Sequence, residues 1–315
     1  MIENFLFSLN IVLPIFLLIV LGFFLSKKGI LTPDFCSRAT TLVFYYALPF
    51  SLFQSVASSD ISQIFELKFV LYAVAASLLL FVISWVLALA LIKDRGQISA
   101  VVHGAFRGNF AYIGLAVLKN LLNTDTLNSA MMIFTFVVPI YNILAIVVLS
   151  HYDNSGVKPS ITDQILKIIK NPLIIGIVCG IVVSLLKIEI PSMLDKTFSY
   201  LSQLATPLAL LMIGASLKPS TFRKKPKGII LGTLIKNCLA PLLFVLCAIP
   251  FGFNTEEIAT IFVLFAVPSA VNSYIMTEKM GGDGELGAGI VMATSLFSVI
   301  SMTLGIFIMK SFGLI

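Results

Sequence analysis

The chain has 315 residues, 58% of them hydrophobic and 11% charged, with mean hydropathy +1.04. A soluble domain of that size cannot carry so much apolar surface, so the chain reads as an integral membrane protein. Its formal charge of +6 does not point to nucleic acid, because the basic residues lie at helix ends and in short loops, where they set orientation.

Apolar runs of spanning length predict ten helices: Phe5 to Leu25, Cys36 to Ala57, Lys68 to Ile92, Gln97 to Leu121, Leu127 to His151, Gln164 to Leu186, Leu194 to Leu217, Gly228 to Pro250, Glu257 to Met280 and Glu285 to Met309. The first run is longer than a signal-peptide core, has no basic stretch before it and no small-residue cleavage site after it, and counts as the first span. Nothing is left over for a soluble domain, so a single polytopic domain is expected. The loops after spans 1, 3, 5, 7 and 9 hold fourteen Lys and Arg, against five on the other side. By the positive-inside rule both termini face outside, in a multi-pass protein of the cell membrane. Cys36, Cys179, Cys238 and Cys247 are scattered without a CxxC pair, and only His103 and His151 accompany them, which argues against a metal centre or a disulfide framework.

Pro14, Gly22, Pro33 and Pro49 reappear as Pro172, Gly180, Pro191 and Pro207, each 158 residues further on. Four such coincidences of backbone-altering residues point to an internal repeat, 1–158 and 159–315. Five spans per half, an odd number, set the second half upside down relative to the first, an inverted-topology arrangement recurrent in secondary transporters. The expected fold class is an all-α integral membrane protein of ten transmembrane helices in two inverted five-helix repeats.

Span 4 contains His103 to Val117, which places Arg107 and Asn109 at a depth where such side chains survive only against a packed interior or a watered cavity. Gly108 and Gly114 bracket Asn109 and let the backbone leave the helical path. The competing reading has Arg107 snorkelling to an interface and the glycines serving helix packing. By symmetry the partner stretch lies in span 9, Phe265 to Asp283. There Pro268 removes a backbone donor, and Ser269, Asn272 and Ser273 supply hydrogen-bonding groups beside the break. Two interrupted helices at corresponding positions are a pointer to a substrate site, against a plain proline kink as the alternative.

These residues resemble the auxin efflux carrier family, the group that includes bacterial malate and malonate permease-like proteins. Asn109-Phe-Ala-Tyr-Ile-Gly114-Leu is similar to its fourth-helix signature. Pro268-Ser-Ala-Val-Asn272 with Gly281, Gly282 and Asp283 is similar to its ninth-helix pattern. Ala205 to Leu217 looks like its seventh helix, and Lys236 with Pro241 like its eighth. Ala116 departs from the proline of many members, and Thr277 from a common alanine. The resemblance implies a fold akin to bile-acid sodium symporters, with helices 4 and 9 crossing at their unwound centres. It also implies a scaffold of spans 1, 2, 6 and 7, a transport bundle of spans 3–5 and 8–10, and homodimers through the scaffold.

The expected activity is secondary transport of a small organic anion, a mono- or dicarboxylate such as malate or malonate, by elevator-like alternating access. The binding candidates are Arg107, Asn109, Gly114, Pro268, Ser269, Asn272 and Ser273. Freed amides at a helix break favour an anion, and Arg107, if it faces the crossing, adds a bidentate partner for a carboxylate. Lys236 serves either as counter-charge or, preferably, to steady carbonyls around the crossing. Asn142, Gln54, Ser295 and Thr294 are candidate polar liners, and Glu278 is a candidate carboxylate, although the acidic residues fall at span ends. No cofactor is expected, and Na+ or H+ remains open as coupling ion. An uncoupled uniporter or channel is the alternative. A membrane-embedded enzyme is disfavoured because HExxH, GxSxG and acids clustered beside a histidine are all missing. Gly176 and Gly180 form a GxxxG, read as close packing inside the bundle in preference to a dimer contact.

Overall fold

The computed structural model describes residue 14 and residues 17–57, 66–122, 128–152, 169–216 and 219–315. The beginnings of spans 1, 5 and 6 (Phe5, Leu127, Gln164), the end of span 7 (Leu217) and the boundary between the halves at 158/159 lie outside the described residues. The described chain is helical, with one isolated antiparallel bridge. In chain order the helices are α1 (Leu17–Lys27), α2 (Pro33–Leu42), α3 (Leu48–Ala57), α4 (Leu67–Leu91), α5 (Arg95–Phe106), α6 (Leu115–Leu122), α7 (Asn128–Met132) and α8 (Val138–His151). There follow α9 (Pro172–Leu185), α10 (Ser192–Gln203), α11 (Ala205–Ser216), α12 (Pro219–Lys224), α13 (Pro226–Leu234), α14 (Ala240–Ala248), α15 (Thr255–Ala266), α16 (Val271–Lys279) and α17 (Gly284–Ser311). Four continuous helical stretches are long and apolar enough to cross a membrane: Leu67–Leu91, Ser192–Ala215, Pro226–Phe251 and Gly284–Ser311. At 1.5 Å per residue, α4 is about 37 Å long, more than the ~30 Å of a hydrocarbon core.

Proline spacing governs several departures from regular helix. Wide π turns at Val43–Ala47, Ile133–Val137 and Ile235–Leu239 join α2 to α3, α7 to α8 and α13 to α14. Each ends two residues before a proline: Pro49, Pro139 and Pro241. A proline ring presses on the carbonyl four residues back and offers no N–H; the wider turn moves that carbonyl aside. A fourth π turn, Phe110–Gly114, has Ala116 at the same spacing. This turn forms without a proline, and it requires glycine at its end, since a Cβ on Gly114 would lie 2.7 Å from the Phe110 ring. Ala116→Pro is accordingly expected to be tolerated, with thermal unfolding showing stability unchanged or raised by under about 1 kcal/mol.

Packing joins elements far apart in sequence. Helix α9 lies on α3, and α11 on α2, while α11 also meets α1 closely enough to need glycine. A Cβ on Gly22 would stand 2.2 Å from Leu211 O, and one on Gly180 would stand 2.8 Å from Phe53 O. The two contacts are images of one another, because Gly22 and Gly180, and likewise Phe53 and Leu211, are 158 residues apart. A second group forms as α5 packs on α4, α8, α13 and α17, and α15 on α14.

Polar bonds between helix ends fall into two sets. Lys279 Nζ donates to Ser37 O (3.1 Å), Lys225 pairs with Asp283 (2.5 Å), Asp283 N donates to Gly96 O (3.2 Å), and Arg95 donates to His151 O (3.3 Å). At other ends Lys68 donates to Phe251 O, Ser129 N to Glu256 Oε1 (2.8 Å) and Gln54 Nε2 to Asp195 Oδ1 (3.0 Å). Every one of these bonds joins ends that ten alternating spans place on the same side.

Candidate functional site

Both interrupted spans break where glycine and proline allow it. Helix α5 ends at Phe106, and Arg107 is extended (φ −91°, ψ 108°). Helix α15 ends at Ala266, Val267 and Ala270 are extended, and α16 begins at Val271. The two breaks pair as a minimal antiparallel ribbon with Gly108 opposite Ser269. Asn109 N donates to Pro268 O (2.8 Å), and Ala270 N donates to Arg107 O (3.0 Å). Span 4 is thus fully broken without a proline at 116.

A break in an apolar interior frees backbone groups that must find partners. Gly104 O, left without its helical donor, accepts the Ser269 hydroxyl (2.5 Å). Ser269 N donates to Thr294 Oγ1 (3.2 Å), and Thr294 is itself held by donating to Ile290 O and Val291 O. Leu264 O would bond the N–H of residue 268, which proline lacks. It accepts instead from Lys236 Nζ (3.4 Å). Lys236 has 0% exposure, and its ammonium lies against Gly108, where a Cβ would be 2.8 Å from Nζ. Of the two roles expected for Lys236, counter-charge or support for carbonyls, the contact observed is with a carbonyl at the crossing.

Other candidates divide by what their side chains already hold. The Ser269 hydroxyl is committed to Gly104 O, and the Ser273 hydroxyl donates to Ala270 O (2.6 Å). Asn109 is 5% exposed beside the ribbon. Asn272 keeps a buried Oδ1 with no hydrogen-bond partner among the described residues. Gly114 makes room for Phe110.

Arg107 does not point into the ribbon. Its guanidinium, 6% exposed, donates to Asn142 Oδ1 (2.6 Å) and Met276 Sδ and lies 3.4 Å from His103 Nε2. His103 Nδ1 in turn is 3.1 Å from Thr277 Oγ1. Asn142 is therefore Arg107's acceptor and no free liner. His103, Met276 and Thr277 complete this cluster; the sequence marks Thr277 only as a departure from a common alanine and His103 only as one of two histidines, because partners on spans 4, 5 and 9 give no local pattern. Among the described residues neither Arg107 nor Lys236 is paired with a carboxylate.

Two candidates lie apart from the crossing. Gln54 joins α3 to α10 through Asp195. Glu278 is exposed near the C-terminal end of α16, its carboxylate against Gly284. Ser295 donates to Val291 O (2.7 Å) within α17.

A family model described as membrane transport protein matches residues 7–306. The chain is 24% identical over 309 residues to a Rhizobium meliloti protein named "Putative malonate transporter", with 96% of each chain covered. It is 23% identical over 312 residues to "Uncharacterized transporter YfdV" of Escherichia coli, covering 96% of this chain and 98% of that one. It is likewise 23% identical over 305 residues to "Uncharacterized transporter MJ1031" of Methanocaldococcus jannaschii, covering 94% and 97%.

Proposed function

This chain belongs to the membrane transport protein family, the auxin efflux carrier family, and we propose that within it the protein is a secondary carrier of a small organic anion, a mono- or dicarboxylate of the malate or malonate kind. It is a membrane transporter and not an enzyme; the substrate and the manner of movement are our reading. The observation that carries it is the pair of buried cations, Arg107 and Lys236, beside the ribbon without a carboxylate to neutralise them among the described residues. In a low-dielectric interior two such charges favour an anion nearby. Asn109 and Asn272, with the amides that open α16 and the turn after Asn109, supply directional bonds to a carboxylate. The name of the Rhizobium meliloti relative agrees with this class.

In this reading α1–α3 with α9–α11 form a scaffold, and α4–α8 with α13–α17 form a bundle that carries the crossing past it as an elevator. The paired contacts of Gly22 and Gly180, and the two sets of same-side bonds, support ten spans as two inverted repeats; the excess of Lys and Arg after the odd-numbered spans is what supports placing both termini outside the cell membrane. Homodimers would meet through the scaffold. Counterflow of radiolabelled malate, malonate and a monocarboxylate in proteoliposomes, with and without proton and sodium gradients, tests the proposal: saturable exchange supports it, and no exchange above empty liposomes by folded protein refutes the carboxylate assignment.

The site makes a separable prediction. Asn272→Ala removes an amide whose oxygen has no partner among the described residues, so it is expected to lower exchange about tenfold while moving stability by less than about 0.5 kcal/mol. Ser269→Ala strips Gly104 O of its donor and is expected to cost about 1–3 kcal/mol of stability. Parallel counterflow and thermal unfolding of the two variants check the contrast.

A further inference from the structure

We infer that Lys236 is a built-in cation for the broken span, filling from within the protein the place where a half-helix C-terminus would otherwise draw a small cation from solution. Three observations carry this. Pro268 leaves Leu264 O without its helical donor, and this carbonyl sits in the last turn of α15, where the helix dipole presents negative charge. Such half-helix ends, with their unwound carbonyls, are a recognised means of coordinating Na+ or H+ inside carriers. Lys236 Nζ lies 3.4 Å from that oxygen and against Gly108 of the opposing break. The side chain has 0% exposure and, among the described residues, no carboxylate partner. An ammonium on a tether of four carbons is compact and carries three donors, so it can serve carbonyls from one point. The sequence places it there from a separate span: Lys236 lies in the π turn Ile235–Leu239, nearly three turns of helix after α13 begins. The inference rests on the carrier reading only for its transport consequence, which is that exchange requires no alkali cation.

The test measures thermal unfolding of purified protein, without substrate, in choline, sodium or methylammonium chloride at equal ionic strength, and malonate counterflow in the same salts. The wild type is expected to unfold at the same temperature in all three. Lys236→Ala is expected to unfold several degrees lower in choline and to recover in part in methylammonium or sodium, which can enter the vacated space. Lys236→Met, which fills that space without a donor, is expected to stay low in every salt. Sodium stabilisation of the wild type, or Lys236→Met as stable as the wild type in choline, overturns the inference; these two arms decide it even if Lys236→Ala does not fold. A wild type whose malonate exchange requires sodium overturns it as well. A folded wild type that exchanges no malonate in any salt refutes the carboxylate reading alone, and the unfolding arms still decide the role of Lys236.

Discussion

Arg107→Met is expected to lower stability by about 3 kcal/mol and to abolish malonate exchange, because one guanidinium ties three elements together. It donates to Asn142 Oδ1 on α8 and to Met276 Sδ on α16, beside His103 on α5. Asn142 is itself fixed by donating from Nδ2 to Val138 O (2.8 Å). Removing the guanidinium leaves a fully buried acceptor, at 0% exposure, without its donor. Helix α16 starts directly from the ribbon at Val271, so loosening its hold at Met276 displaces Asn272 and the amides proposed to meet the substrate. Arg107→Lys is expected to restore little, since an ammonium cannot span the directions that a planar fork reaches. Thermal unfolding and counterflow together check this. A variant with normal stability and no exchange would instead place Arg107 on the substrate.

Gly22→Ala is expected to damage the packing of α1 against α11 severely, costing about 3 kcal/mol or more. The new methyl would sit 2.2 Å from Leu211 O and 2.9 Å from Leu211 Cα, and backbone cannot swing aside as a side chain can. Gly180→Ala meets Phe53 O at 2.8 Å and Val56 Cβ at 2.9 Å, a milder clash in the equivalent place. Its expected cost is about 1–2 kcal/mol. Unfolding temperatures of the two single variants, measured side by side, check both the size and the order.

Much of this architecture was legible because glycine and proline carry backbone instructions in their own identity. Gly108 and Pro268 announced the two breaks, and the 158-residue offset pointed to an internal repeat, whose matched glycines Gly22 and Gly180 turn out to make equivalent close contacts. The direction of Arg107 was not legible. A residue in an extended break follows neither a helical nor a strand period, so nothing local says whether its side chain enters the ribbon or turns toward α8. Ser269 shows a related limit: sequence identifies a hydroxyl near the break, but only the partner Gly104 O reveals that it is already engaged. The place of Glu278 at a span end was legible, and it sits near the end of α16, whereas the engagement of Gln54, a candidate liner, with Asp195 was not. The π turns were also hidden: three share one spacing to Pro49, Pro139 and Pro241, but Pro207 has no such turn before it and Phe110–Gly114 has no proline after it.

The close approach of α1 to α11 sets an order of events during synthesis. Ser26 donates to Ala215 O across 189 residues, and Gly22 waits for Leu211 over the same interval. At ~5–20 residues per second, the first helix spends about 10–40 s in the bilayer before the backbone that fits its glycine groove has been made. Until then the groove has only lipid, or an insertion chaperone, to cover it. The nascent first half is therefore the stage at which this protein is most exposed to misassembly and to quality-control proteases.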